Sequence, residues 1–219
     1  VAGLLGPAAV PVVFVLVLFL VGWYVAGNEV MRRRACSLAL WCKRTLDPAG
    51  GTQSILWLTT SSFRFEVEDM RPPLEAVRMT GLVESWDVPM VWLWNRSRGR
   101  RDMVLVQLSL RRRPIAGLEL YRPGAWLAGD SRRLAREEGW PERPFEEFAL
   151  ASPVEAGQVL ARRLMVTLSD ERPRLLRLAV RRQAPNLTLA LNVPEGRRSD
   201  PTVFHVLLQR LAEAAGSPA

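Results

Sequence analysis

Residues 1–26 carry no charged side chain, and the apolar run ends against Met31-Arg32-Arg33-Arg34. A bilayer core about 30 Å thick needs roughly 20 apolar residues of helix to cross it. Val12, Phe14, Leu16, Leu18 and Leu20 lie in an unbroken apolar stretch that supplies the middle of such a helix. Trp23 and Tyr24 come next, where interfacial aromatics collect, and Arg32, Arg33 and Arg34 follow them. Arginines clustered beside a span mark its cytoplasmic side. A secretory signal has the reverse layout, with basic residues ahead of a shorter apolar core. Pro7 and Pro11 fall in the first turns, where a missing N–H is tolerated. The chain begins at Val1 rather than Met, so the charges of any initiator or short upstream segment ahead of the run cannot be counted. The expectation is one span at 1–27, integral to membrane lipid, and a juxtamembrane basic helix at 28–47. The remainder is placed in the cytoplasm.

The 219 residues leave room for one further domain of ordinary size or two small lobes. Net charge is +8, and Lys43 is the only lysine beside twenty-nine arginines, a bias that a GC-rich coding sequence would share in producing. A basic domain held at a bilayer gains about 1 kcal/mol per nearby Lys or Arg from anionic lipid. The same field attracts nucleic acid, including ribosomal RNA. Cys36 and Cys42 have neither disulfide-motif nor zinc-motif spacing and read as reduced thiols of a cytoplasmic protein.

Beyond the span, Leu38, Trp41, Cys42 and Leu46 keep helical spacing until the stop at residues 47–51. Residues 62–68 alternate apolar and polar as a half-buried strand does. Residues 74–84, 103–110 and 118–121 read as further strands, the last two as antiparallel neighbours. A short helix is expected near 131–138 and a strand at 145–150. Ser152-Pro153-Val154-Glu155 looks like a capped helix start, as does Asp200-Pro201. Strands are expected at 175–180 and 187–193, and Phe204, Leu207, Leu208 and Leu211 form the buried side of the last helix. The class is α+β: antiparallel strands with helices packed on one face, after the membrane helix. Residues 52–128 make a β-rich first lobe and 129–219 an α+β second lobe.

Catalytic chemistry finds little material. His205 is the only histidine, so a nucleophile–histidine arrangement would have to use it. One His and two Cys leave any metal site dependent on carboxylates, and no clustered acidic set appears. Residues 48–52 lack the lysine of a phosphate-binding loop. The expectation is a protein that is not an enzyme, without cofactor, metal or small-molecule substrate. A carboxylate-dependent hydrolase is a remote alternative.

The most unusual stretch is residues 86–101, in which Trp86, Trp92 and Trp94 precede Arg96, Arg98, Arg100 and Arg101. Trp with Arg suits a membrane interface, an RNA surface or a protein hot spot. The structural alternative puts Trp92 and Trp94 on one face of a core strand, with residues 96–101 as a solvated hairpin tip. Arg111, Arg112 and Arg113 end the next strand and form a supporting basic cluster.

An anchor with a basic-flanked helix, the strand at 103–108, and Leu189-Ala190-Leu191-Asn192-Val193-Pro194 with Gly196 leading into an apolar helix resemble the calumin family. These are single-span endoplasmic-reticulum proteins that join the translocon complex for multi-pass membrane proteins. The same ending also resembles membrane-anchored domains of prokaryotic type. The resemblance implies an accessory role in membrane-protein insertion, with a protein partner in a membrane complex and a possible ribosome or RNA contact. From the residues alone, two functions stand: a scaffold at the cytoplasmic face, or a lipid-sensing domain for anionic headgroups.

Overall fold

In the computed structural model, which describes residues 9–193, 196 and 198–216, one helix runs unbroken from the apolar segment into the body of the protein. Helix α1 (Ala9–Leu46) is bare over its first half, where Val12, Phe14, Leu16, Leu18 and Leu20 are all exposed. Among the described residues it is the one helix long and apolar enough to cross a membrane. Its second half is core: Met31, Ala35, Leu38, Cys42 and Leu46 are buried. The sequence explains the change. Apolar residues surround the helix before Trp23, whereas beyond it they form a single stripe at helical spacing. The segments expected at 1–27 and 28–47 are thus one helix among the described residues. Pro7 and Pro194 lie outside them.

The chain continues through β1 (Thr52–Thr59), β2 (Ser62–Glu68), β3 (Leu74–Leu82), α2 (Pro89–Ser97), β4 (Met103–Leu110) and β5 (Leu118–Tyr121). Then come α3 (Ala128–Glu137), β6 (Glu142–Phe145), β7 (Phe148–Ala151), α4 (Glu155–Thr167), β8 (Leu175–Val180), β9 (Leu187–Asn192) and α5 (Pro201–Gly216). The nine strands of the described residues join one antiparallel sheet in the order β1-β2-β3-β4-β9-β8-β5-β7-β6. The fold is α+β, and residues 52–128 and 129–219 share the sheet.

Helices α1, α4 and α5 cover one face, packing on Phe63, Phe65, Met79, Val106, Leu120 and Leu189. Helix α3 lies on the other face, where Ala128 meets Tyr121 and Ala149. Tyr121 and Ala149 alternate with Leu120 and Leu150, so the two-residue period of the strands separates the two layers. Trp41 of α1 ties the helical layer together. Its indole N–H donates to the Ser199 carbonyl at 2.8 Å, and its ring meets Phe204 of α5 at 4.9 Å.

Four local expectations are corrected. Strands β4 and β5 are not neighbours, because β9 occupies the free edge of β4 and sets Leu187, Leu189 and Leu191 opposite Leu108, Val106 and Val104. The strand expected at 145–150 is a hairpin that turns at Glu146, which holds a positive φ of 55°. Ser152 is not a helix cap, since its hydroxyl donates to the carbonyls of Gly117 and Val154 at 3.0 and 3.1 Å. Residues 86–101 form a helix and its exit instead of a strand and hairpin. Asp200 does cap α5, accepting the Thr202 N–H at 2.8 Å.

Helix α1 and strand β2 run in the same direction. Leu38 lies over Gly81 beside Phe63, and Asp47 beyond the helix end accepts a hydrogen bond from Gln53, the cross-strand partner of Val67. The sheet therefore has a span-proximal end, with the residue 59–62 turn, the end of β3 and the start of β4. Residues 68–74 and 110–118 lie at the far end.

His205 is buried on α5, where desolvation depresses its pKa and a hydrogen bond with the Thr45 backbone opposes the shift. The unfolded chain then binds more protons below about pH 6.5, so stability is present above that pH and is lost on acidification. Thermal melts in detergent should show a lower midpoint at pH 5.5 than at pH 7.5 (roughly, bracketing a free histidine). The His205→Leu variant should lose most of that difference; an unchanged difference would remove His205 as its source.

Candidate membrane-interface site

Three tryptophans meet where α1 leaves its bare half. The Trp23 indole N–H donates to the Trp86 carbonyl at 2.8 Å, and the two rings stack with centroids 5.8 Å apart. Trp92 of α2 closes the cluster at 4.8 Å from Trp86 and 5.8 Å from Trp23. Phe19 extends it one turn back along α1, 6.1 Å from Trp23. Gly27 permits the approach: a Cβ there would stand 2.9 Å from the Trp86 carbonyl oxygen. On the next turn, the Trp86 N–H points to the Met31 sulfur at 3.2 Å.

Local signals explain why residues 89–97 are helical. Val88 is extended, Pro89 takes the first turn, and Gly99 adopts a positive φ of 73° just past the end. The Gly99 N–H then donates to the Arg96 carbonyl at 3.1 Å. Strong strand formers at 91–94 mask this frame in a reading by propensity. Pro89 and Gly99 were the signals that could have found the helix.

No residue of α2 is fully buried. Trp92 turns towards Trp23 and Trp86, while Met90, Leu93 and Trp94 project outward. Spacing of i, i+3 and i+4 puts those three on one side of the helix. Met90 is 82% exposed, and this side is open apart from the Arg98 guanidinium over the Trp94 ring.

Arginines surround the indoles. Arg34 stands 5.3 Å over Trp86, Arg96 5.5 Å over Trp92, Arg98 4.3 Å over Trp94 and Arg100 5.2 Å over Trp126. Arg101 donates to the carbonyls of Arg96 and Arg100 at 3.0 and 2.6 Å, closing the loop after α2. Glu84 lies buried beneath, 3.7 Å from Arg96, with its backbone N–H bonded to Asp102 at 2.9 Å. Burial pushes its carboxyl up, Arg101 and Arg96 pull it down, and Asp102 raises it further. Glu84 and Trp126 were not singled out from sequence. Trp126 reaches Arg100 only because the chain after β5 returns to the span-proximal end.

The other arginines named from sequence are elsewhere. Arg32 and Arg33 both pair with Glu29, at 3.0 and 2.7 Å, on the exposed side of α1. Arg111, Arg112 and Arg113 follow β4 at the far end of the sheet, about 24 Å from its start at roughly 3.4 Å per residue. Arg111 is committed there to the Met70 carbonyl at 2.9 Å. The arginines at 96–101 and those at 111–113 therefore lie at opposite ends of β4, and only the first group is beside the span.

Two carboxylate sites elsewhere are engaged by arginine. Glu119 is fully buried between Arg177 and Arg181, and Arg172 holds the Glu147 carboxyl down to about 2. Among the described residues no group of His, Cys, Asp and Glu is arranged to hold a metal ion. A groove of about 430 Å³ at the far end is lined by Gly117, Glu138, Trp140 and Arg181, with Arg181 lying 4.8 Å over the Trp140 ring. Compared with known proteins, the chain matches no family model and no curated protein.

Proposed function

We propose that the chain is a single-pass membrane protein that holds a non-catalytic α+β binding domain at the cytoplasmic face, as an accessory or scaffold subunit of a membrane complex. The observation that carries this reading is the dual character of α1. The helix is bare where a bilayer would surround it and forms core where the domain begins. A domain joined in this way keeps a set height and rotation over the membrane, as a scaffold must. The arginines at positions 32, 33 and 34 supply the cytoplasmic orientation. The resemblance to the calumin family extends the proposal to membrane-protein insertion.

Sidedness can be read with the two natural thiols. Cys36 is exposed, whereas Cys42 is buried and its thiol is pushed up to about 12 by desolvation. A membrane-impermeant maleimide should modify Cys36 only in vesicles whose cytoplasmic face is outward, and Cys42 only after denaturation. Modification from the opposite side would reverse the orientation, and release of the protein by alkaline carbonate would overturn the span. The lipid-sensing reading is favoured by one specific feature, the uncovered side of α2.

A further inference from the structure

We propose that α2 is an in-plane interfacial helix, with Met90, Leu93 and Trp94 set into the acyl–headgroup boundary of the leaflet that α1 exits, and Arg98 and Arg100 among its phosphates. The inference rests on the reading of α1 as a span and adds a second membrane contact to it.

Position is the first argument. Through Trp92 and Trp86, α2 is fastened to Trp23, and Tyr24 beside it is exposed at the same level of α1. If α1 crosses a bilayer, Trp23 and Tyr24 lie in the headgroup region, and α2 lies there with them. Chemistry is the second. The outward side of α2 carries a thioether, a leucine and an indole, while residues 88–101 contain four arginines and no carboxylate. That composition matches a leaflet surface, apolar below and anionic at the phosphates. The guanidinium of Arg98 over the Trp94 ring already sets a cation beside an interfacial aromatic.

Nine residues are few for a membrane-binding helix, but α2 needs little affinity of its own. The span has already brought it to the interface, so docking is intramolecular and carries no separate association cost.

The full-length protein in phosphatidylcholine–phosphatidylglycerol vesicles provides the test. Spin labels are placed singly at Leu93→Cys, Val17→Cys and Val166→Cys in a Cys36→Ser background. Val17 lies in the bare half of α1, and Val166 is an exposed residue of α4. Collision with oxygen and with a water-soluble nickel chelate is then compared. The label at 93 should lose nickel collisions as the label at 17 does, while the label at 166 keeps them. A water-exposed label at 93 with a lipid-exposed label at 17 would overturn the docking of α2 alone. A water-exposed label at 17 would overturn the span and the docking together. Should Leu93→Cys fail to fold, Trp94 gives a second route. Lipids brominated near the headgroup should quench more emission from the parent protein than from Trp94→Phe, and equal quenching would overturn the proposal.

Discussion

Replacing Gly81 with valine is expected to cost about 3 kcal/mol, lowering the thermal midpoint by roughly 6–12 °C in a chain of this size. Gly81 of β3 faces Phe63 of β2 directly across the sheet, on the side that α1 covers. A Cβ at position 81 would come within 2.3 and 2.4 Å of the Phe63 ring and 3.1 Å of Leu38 on α1. Phe63 is fully buried and also packs against Trp57, at 5.6 Å, so the ring has no empty space to enter. The side chain added by Gly81→Val would lift the buried half of α1 from the sheet. Thr80→Val, on the opposite face, should shift the midpoint far less. If Gly81→Val melts with the parent protein, α1 does not pack on the sheet in this register.

A proline at Val30 should have the second largest effect, chiefly on orientation. It removes the bond to the Ala26 carbonyl and clashes with it, a cost of about 3 kcal/mol in a helix interior. The break falls between the bare half of α1 and the half that forms core. Distances measured by pulsed spin resonance between labels at Val17→Cys and Val166→Cys should be narrowly distributed in the parent protein. In Val30→Pro the distribution should become several-fold broader (roughly, as a broken helix loses a rigid connection). A distribution that stays narrow would show that the Trp23–Trp86–Trp92 contact alone sets the orientation.

What the sequence revealed follows from hydropathy pattern. The bare helix was legible as an unbroken apolar run, β2 and β4 because their burial repeats with the two-residue period of a strand, and β9 by the alternating Leu187, Leu189 and Leu191. Strand β1 was not: all eight residues are exposed, so Thr52–Thr59 shows no alternation and owes its place to pairing with β2. Helix α2 was read as a strand because its residues prefer strands, and its exposed side adds no buried stripe to reveal a helical period. At the site, the tryptophans and arginines were legible as residue types. Their partners were not, because Trp23 lies sixty-three positions from Trp86 in sequence and Arg100 reaches Trp126 only through the strand order. The separation of Arg111, Arg112 and Arg113 from the site follows directly from the length of β4.

The outer edge of the sheet carries a hazard that membrane anchoring would control. Strand β1 ends the sheet with eight residues that include neither charge nor proline, and Ile55, Leu56, Trp57 and Leu58 are all exposed. Such an edge invites a second copy to pair with it. Symmetric antiparallel pairing needs the two strands to point in opposite directions. With α1 across a bilayer, every β1 in that membrane points towards the same surface, because β1 runs opposite to β2 and β2 runs with α1. The antiparallel arrangement is then forbidden between neighbours, however crowded they become. Anchoring would keep an unguarded edge from pairing antiparallel with its neighbour's, and a copy cut free of its span would lose that protection.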